Sequence, residues 1–266
     1  MSESEEPDVG RTGEAQFAPE QRELFARCLR ALNEGGVPYL VAGAHAKHAY
    51  TGVWRDTKDL DLFLCAADLE RVLDLLANEG LDTSVEYPHW LAKASNDDYF
   101  IDLIFGMGHG RIQVDESWFA HKRPIEVAGV ETFLIPPEEL FVSKAFVIER
   151  YRCDVADILH LVLSLKGELD WARVLDLLGN HRALVLVHLL LFDFVYPGRR
   201  DALPKELMQE LFDEVQRRWQ EPRLAAKAFR GLLLDPHSFV VDLDDWGYRD
   251  ARELEPLVDE KSGELL

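Results

Sequence analysis

The segment Asp59-Leu60-Asp61-Leu62-Phe63-Leu64-Cys65 constrains this chain more than any other. Leucines at 60, 62 and 64 alternate with Asp59, Asp61, Phe63 and Cys65, the two-residue period of a strand with one buried face. Both carboxylates therefore leave the strand on the same side, from backbone positions about 6.5–7 Å apart. Two divalent metal ions about 3.5–4 Å apart fit between such arms. A third acid stands in Tyr99-Phe100-Ile101-Asp102-Leu103-Ile104-Phe105, which is otherwise apolar on both faces and reads as a central strand. A carboxylate buried there needs a partner, either a metal ion or an Arg or Lys.

The elements around these strands follow from periodicity. Leu24, Phe25, Cys28, Leu29 and Leu32 recur at helical spacing from Pro19 to Leu32, and Gly35-Gly36 stops that helix. Val37–Val41 reads as a short buried strand, Gly43 as a turn, and Ala44–Tyr50 as a helical turn. A helix over Ala67–Glu79 ends at Gly80. Thr83–Tyr87 and Trp90–Ala94 are β-like, Gly106–Gly110 reads as a hinge, and Ile125–Val127 with Val130–Leu134 form a hairpin around Ala128-Gly129. Pro136-Pro137-Glu138-Glu139 opens a helix that the pattern carries to the region of Arg150. Helices follow over Asp154–Leu165, Trp171–Leu178, Ala183–Phe194, Pro204–Trp219 and Arg223–Leu234. The fold class is thus α/β (α+β), a mixed sheet of about five strands flanked by helices, with an all-helical C-terminal domain. The expected divisions are a disordered acidic tail over 1–16, an α/β domain over 17–166, a helical domain over 167–241 and an acidic tail over 242–266.

Composition excludes several classes. With 266 residues, 47% of them hydrophobic, the chain can bury one large core or two modest ones. The longest apolar run, Ala183–Phe192, is too short to span a bilayer and contains His188, so no membrane partner is expected. The N-terminus is acidic and lacks a signal-peptide layout, which makes the cytoplasm the default. Cys28, Cys65 and Cys153 are far apart and without C-x-x-C, as reduced core thiols are. The formal charge of −20 disfavours a long nucleic acid as the main ligand. His45-x-x-His48 has helical spacing but no third ligand near it in sequence, a weak zinc signal.

The strand, glycine turn, helix, Asp-x-Asp strand and later lone Asp together resemble the DNA polymerase β-like nucleotidyltransferase superfamily. Arg55-x-Thr57-Lys58-Asp59-Leu60-Asp61-Leu62 is similar to the form found in AbiEii-like, stand-alone bacterial nucleotidyltransferases. Pro137-Glu138-Glu139-Leu140, Lys144, Arg150, Asp154 and Asp157 are similar to their helical lysine and aspartate segment. The resemblance covers about residues 35–165. It implies that Asp59, Asp61 and Asp102 are catalytic and hold two Mg²⁺ (or Mn²⁺) ions. It further implies that Gly43, Ala44, His45, Arg55, Thr57 and Lys144 bind a nucleoside triphosphate. The partners implied are that triphosphate, a hydroxyl acceptor on a small molecule, a protein or an RNA end, and in some settings a protein partner. Antibiotic modification, a toxin–antitoxin pair and partner-protein modification are all compatible with the resemblance. One departure stands out: Ala42-Gly43-Ala44 replaces the family's Gly-Gly or Gly-Ser turn, which motivates a second expectation, an inactive nucleotide-sensing or partner-binding module. For Lys144 the residue pattern alone fits a surface lysine as well as a phosphate contact, and Asp154 and Asp157 read as helix-start acids and surface pairs.

Overall fold

Seven strands form one mixed sheet in the computed structural model, which describes residues 11–12, 16–220 and 228–254. By its internal contacts the chain divides into two compact units, Met1–Leu140 and Phe141–Leu266. The first unit runs β1 (Arg11–Thr12), α1 (Pro19–Glu34), β2 (Leu40–Val41), α2 (Gly43–Thr51), β3 (Val53–Trp54) and β4 (Asp59–Phe63). It continues with α3 (Leu69–Asn78), β5 (Asp82–Tyr87), β6 (Leu91–Ser95), β7 (Phe100–Ile104), β8 (Arg123–Val127) and β9 (Val130–Leu134). The sheet order is β5-β6-β7-β4-β2-β9-β8, with β4/β7 and β2/β9 parallel and the other neighbours antiparallel. All seven β-like stretches of the sequence thus join one sheet, more than the expected five, because the β8–β9 hairpin docks through Val41↔Leu134 onto β2.

The alternation of β4 decides the layering. Leu60 and Leu62, with Ile101 and Leu103 of β7 and Ala92 and Ala94 of β6, are fully buried in the core that contains Leu24, Phe25, Cys28, Leu29 and Leu32 of α1 and Val72 and Leu76 of α3. Each such leucine withdrawn from water contributes about 1.5–3 kcal/mol. The same pleat turns Asp59, Asp61 and Asp102 to the opposite face.

The second unit begins within α4 (Pro137–Ala145) and continues through α5 (Val155–Ser164), α6 (Trp171–Leu178), α7 (Ala183–Val195) and α8 (Lys205–Gln220). Beyond these lie β10 (Ala228–Phe229), α9 (Pro236–Asp244), β11 (Arg249–Asp250) and α10 (Ala251–Leu254), with β10 and β11 paired in parallel. Among the described residues no single helix is long and apolar enough to cross a membrane.

Several sequence expectations differ from these elements. The helix expected to reach Arg150 ends at Ala145. There the chain turns into a loop closed by Asp154 N–H to Val147 O (3.0 Å) and Glu149 N–H to Arg152 O (2.8 Å), which brings Asp154 back beside Lys144. Of the helix expected over 223–234, residues 223–227 lie outside the described residues, and 228–233 form a strand and one tight turn. Gly231 turns against the rings of Phe229 and Phe239. A new helix then starts at Asp235, whose side chain accepts from the N–H groups of His237 (3.0 Å) and Ser238 (2.9 Å), with Pro236 following.

The expected N-terminal tail includes Arg11–Thr12, which pair with Val53–Trp54; residues 1–10 and 13–15 lie outside the described residues. The expected C-terminal tail contains the end of α9, β11 and α10, with 255–266 outside the described residues. Gly106–Gly110 is a closed loop where a hinge is expected. Met107 N–H binds Ile112 O (2.8 Å), Gly110 N–H binds Met107 O (2.8 Å), and the His89 ring lies 3.1 Å from Gly108 O.

Candidate active site

The three carboxylates come from two strands whose register places them together. β4 and β7 run parallel with Asp61 opposite Asp102 and Asp59 opposite Phe100. One carboxylate oxygen from each of Asp59, Asp61 and Asp102 can be chosen so that all lie within 4.8 Å of one another, and all three side chains are half-buried. Three like charges at this spacing repel strongly at reduced dielectric. Burial, and next the Asp102 carboxylate, push Asp59 above the usual carboxylate range, against the pull of its own backbone N–H, Arg55 and Lys93.

The turn before α2 is shaped around Asp61. Ala42 N–H donates to Asp61 O (2.9 Å), which fastens the turn to β4, and Gly43 opens the helix with a φ of +54°. A Cβ at Gly43 would lie 3.0 Å from Asp61 Cβ, 2.6 Å from Cγ and closer still to Oδ2. Only glycine fits on both counts, since that φ is also unfavourable for a side chain. The first-turn N–H groups of α2, left without helical partners, thus stand beside an anionic cluster and are suited to phosphate. Ala42 is fully buried and Ala44 half-buried, so within Ala42-Gly43-Ala44 the close approach is made at Gly43.

The donor set fits a divalent cation. Three hard oxygen ligands converge, as Mg²⁺ requires. Asp102 Oδ1 is buried and receives no hydrogen bond among the described residues, although the Lys93 ammonium stands 3.0 Å away as an ion-pair partner out of line for one.

A family model described as uncharacterised nucleotidyltransferase matches residues 14–192. The chain belongs to this nucleotidyltransferase family. No curated protein matches the sequence. Among solved structures the nucleotidyltransferase is similar to the antibiotic-resistance factor ANT(2'')-Ia in solution, at 17% identity and TM-score 0.45 over 64% of this chain and 96% of that one. It is similar to the lincosamide antibiotic adenylyltransferase LnuA at 14% identity and TM-score 0.39, over 55% of this chain and 96% of that one. A third likeness is to an antigenic nucleotidyltransferase-like protein from Paracoccidioides brasiliensis, at 12% identity and TM-score 0.36, over 65% and 94%.

The other expected site residues of the nucleotidyltransferase fall into three settings. Thr57 and Arg55 lie near the carboxylates: the Thr57 hydroxyl donates to Asp59 Oδ1, Gln21 Nε2 fixes Thr57 O at 2.6 Å, and exposed Arg55 lowers the Asp59 pKa from a distance. His45 is buried in an aromatic cluster, stacked on Phe17 at 5.3 Å and tilted against Trp54 at 5.3 Å. Burial pushes its pKa down to about 4, a backbone hydrogen bond to Asp59 opposing, so the ring is neutral near pH 7. Lys144, in the second unit, is only 9% exposed and donates to Asp154 Oδ2 (2.8 Å) and Asp157 Oδ2 (2.9 Å). It is not the surface lysine its helix pattern allows, and Asp154 and Asp157 are its partners.

Sequence reasoning passed over Lys93. Its cross-strand partner on β7 is Asp102, and its ammonium lies 3.8 Å from the centre of the Phe100 ring. The signal was present: in Leu91-Ala92-Lys93-Ala94-Ser95 the alanines alternate with one long cation, so Lys93 faces away from the core.

Proposed function

We propose that this nucleotidyltransferase moves a nucleoside monophosphate from a nucleoside triphosphate to a hydroxyl acceptor, with Mg²⁺ or Mn²⁺ held by Asp59, Asp61 and Asp102. The observation that carries the reading is the convergence of those three carboxylates, from two registered strands, beside a glycine where a side chain would be strained and would displace Asp61. When bound, a divalent cation offsets charge on the triphosphate and lowers the pKa of an acceptor hydroxyl.

The chain's own residues do the rest by positioning and electrostatics. Gly43 and the backbone amides of Ala44 and His45 receive phosphate oxygens at the start of α2. Thr57 orients Asp59 through its hydroxyl. Arg55, exposed near Asp59, meets the outer phosphates. The acceptor oxygen forms a bond to the α-phosphorus, the bond to the bridging oxygen breaks, and pyrophosphate leaves with both electrons. Asp102 takes the acceptor's proton at a carboxylate oxygen. The charge of −20 favours a small-molecule or protein hydroxyl over an RNA end.

The test is calorimetry with each nucleoside triphosphate, with and without Mg²⁺, followed by pyrophosphate release over a broad panel of acceptors. Asp61→Asn is expected to bind nucleotide weakly and to lose about a thousandfold or more in release, with an unchanged circular-dichroism spectrum. Tight binding with no release from any acceptor would overturn transfer in favour of a nucleotide sensor.

A further inference from the structure

The function proposed above leaves Lys93 without a role, although it faces the same side of the sheet as the three carboxylates. The β6–β7 register sets Lys93 opposite Asp102, and the β7–β4 register sets Asp102 opposite Asp61. The row across the sheet is therefore cation, acid, acid. Lys93 Nζ lies 3.0 Å from Asp102 Oδ1 and 3.8 Å from the centre of the Phe100 ring, while Phe100 is itself opposite Asp59. We propose that Lys93 takes the place of a second metal ion: a single divalent cation, held among Asp59, Asp61 and Asp102, works beside the Lys93 ammonium at Asp102 Oδ1, where a second metal ion would otherwise stand. The inference rests on the proposed function, and it narrows the two-ion expectation that the family resemblance brings.

Three observations support it. The first is charge: an ammonium already stands at the Asp102 end of the row, and a second divalent ion brought beside it would be repelled. The second is space. An ammonium at 3.0 Å from Asp102 Oδ1 stands at the oxygen a second ion would have to coordinate, and it also lies over the face of the Phe100 ring, 3.8 Å from its centre. The third is the type of contact. Lys93 is near Asp102 without hydrogen-bond alignment, so it acts through its charge, which Arg would keep and Met would not.

The experiment counts ions. Free Mn²⁺ is followed by electron paramagnetic resonance as it is titrated into the full chain with a non-hydrolysable triphosphate analogue, for wild type, Lys93→Met and Lys93→Arg. The expected result is one tight Mn²⁺ per wild-type chain and one for Lys93→Arg. Lys93→Met should take up a second ion about tenfold or more tighter than any weak second site of the wild type. Two tight ions in wild type, or one in Lys93→Met folded by circular dichroism, would overturn the role of Lys93 and leave the nucleotidyltransferase site standing. No Mn²⁺ in any of the three proteins with any analogue would overturn the site itself, and the inference with it. Should Lys93→Met fail to fold, the wild-type count decides alone: one ion supports the proposal and two sink it.

Discussion

Each unit of the molecule holds a cluster of lysine and aspartates, and the two clusters are built to different charge ratios. In the second unit Lys144 bonds Asp154 and Asp157, and Arg152 reaches Asp154 at 3.4 Å, so two cations meet two acids. Burial works against ionising Asp154, but Lys144 and Arg152 outweigh it and hold the carboxyl below its usual range. Burial likewise works against the Lys144 charge, and Asp154 and Asp157 raise its pKa in spite of it. In the first unit three acids lie together, Lys93 is ion-paired to Asp102 at 3.0 Å, and Asp59 is pushed up. The same residue types thus give one cluster that holds a carboxyl below its usual range and one that pushes a carboxyl above it. The first pins a loop to a helix, and the second is open to a cation.

Lys144→Met is the largest test of that contrast. It takes from the half-buried carboxylates of Asp154 and Asp157 the ammonium they share and should cost about 3–5 kcal/mol in urea unfolding. Lys93→Met, measured beside it in EDTA, should cost less, because Lys93 and Asp102 retain more solvent, and Mg²⁺ should restore more of the loss. Equal costs, unaffected by Mg²⁺, would break the comparison. Gly43→Ala comes next. The left-handed φ costs about 1–2 kcal/mol for any side chain, and the new methyl group must displace the Asp61 carboxylate. Thermal melting should show that modest loss, while Mn²⁺ affinity should fall further than stability does. A variant that binds Mn²⁺ as wild type does would show that Asp61 is free to move without consequence.

How much of this was legible in the sequence follows from what each residue's neighbours are. The alternation of Asp59–Cys65 fixes a buried and an open face by itself, so the placement of Asp59 and Asp61 could be read from seven residues. Asp102 announced a need for a partner, since a lone acid in an apolar strand cannot stay unpaired, yet the partner is set by sheet register. Lys93 meets it only because β6 returns antiparallel along β7. His45 was legible as a residue beside the glycine turn, but the stack of Phe17, Phe25 and Trp54 around it comes from elements far apart in sequence. Likewise the pattern of α4 offered Lys144 either to solvent or to phosphate. It is the turn at 146–154, which helical periodicity runs straight through, that brings two acids to it.

The smallest effect is also the one that separates the two clusters by sign. A carboxyl whose pKa is raised by folding binds more protons in the native state, so stability falls as pH rises from the ordinary value of 3.8 through the folded value. Asp59 belongs to this case, and in EDTA Asp59→Asn should gain on wild type across that window. A carboxyl whose pKa is lowered contributes stability above 3.8 that is lost as pH falls through the folded value. Asp154→Asn should therefore be less stable than wild type above pH 3.8, with the gap closing at more acid pH. His45, depressed to about 4 from 6.5, makes all three proteins lose stability between pH 6.5 and 4, and this cancels in the differences. Saturating Mg²⁺ should abolish the Asp59 difference, because a bound cation favours the ionised form, and should leave the Asp154 difference untouched. Urea midpoints at half-unit steps from pH 3 to pH 7 would measure both. If the two difference curves slope the same way, or if Mg²⁺ moves both, the clusters do not differ in electrical balance and the open site loses its main physical support.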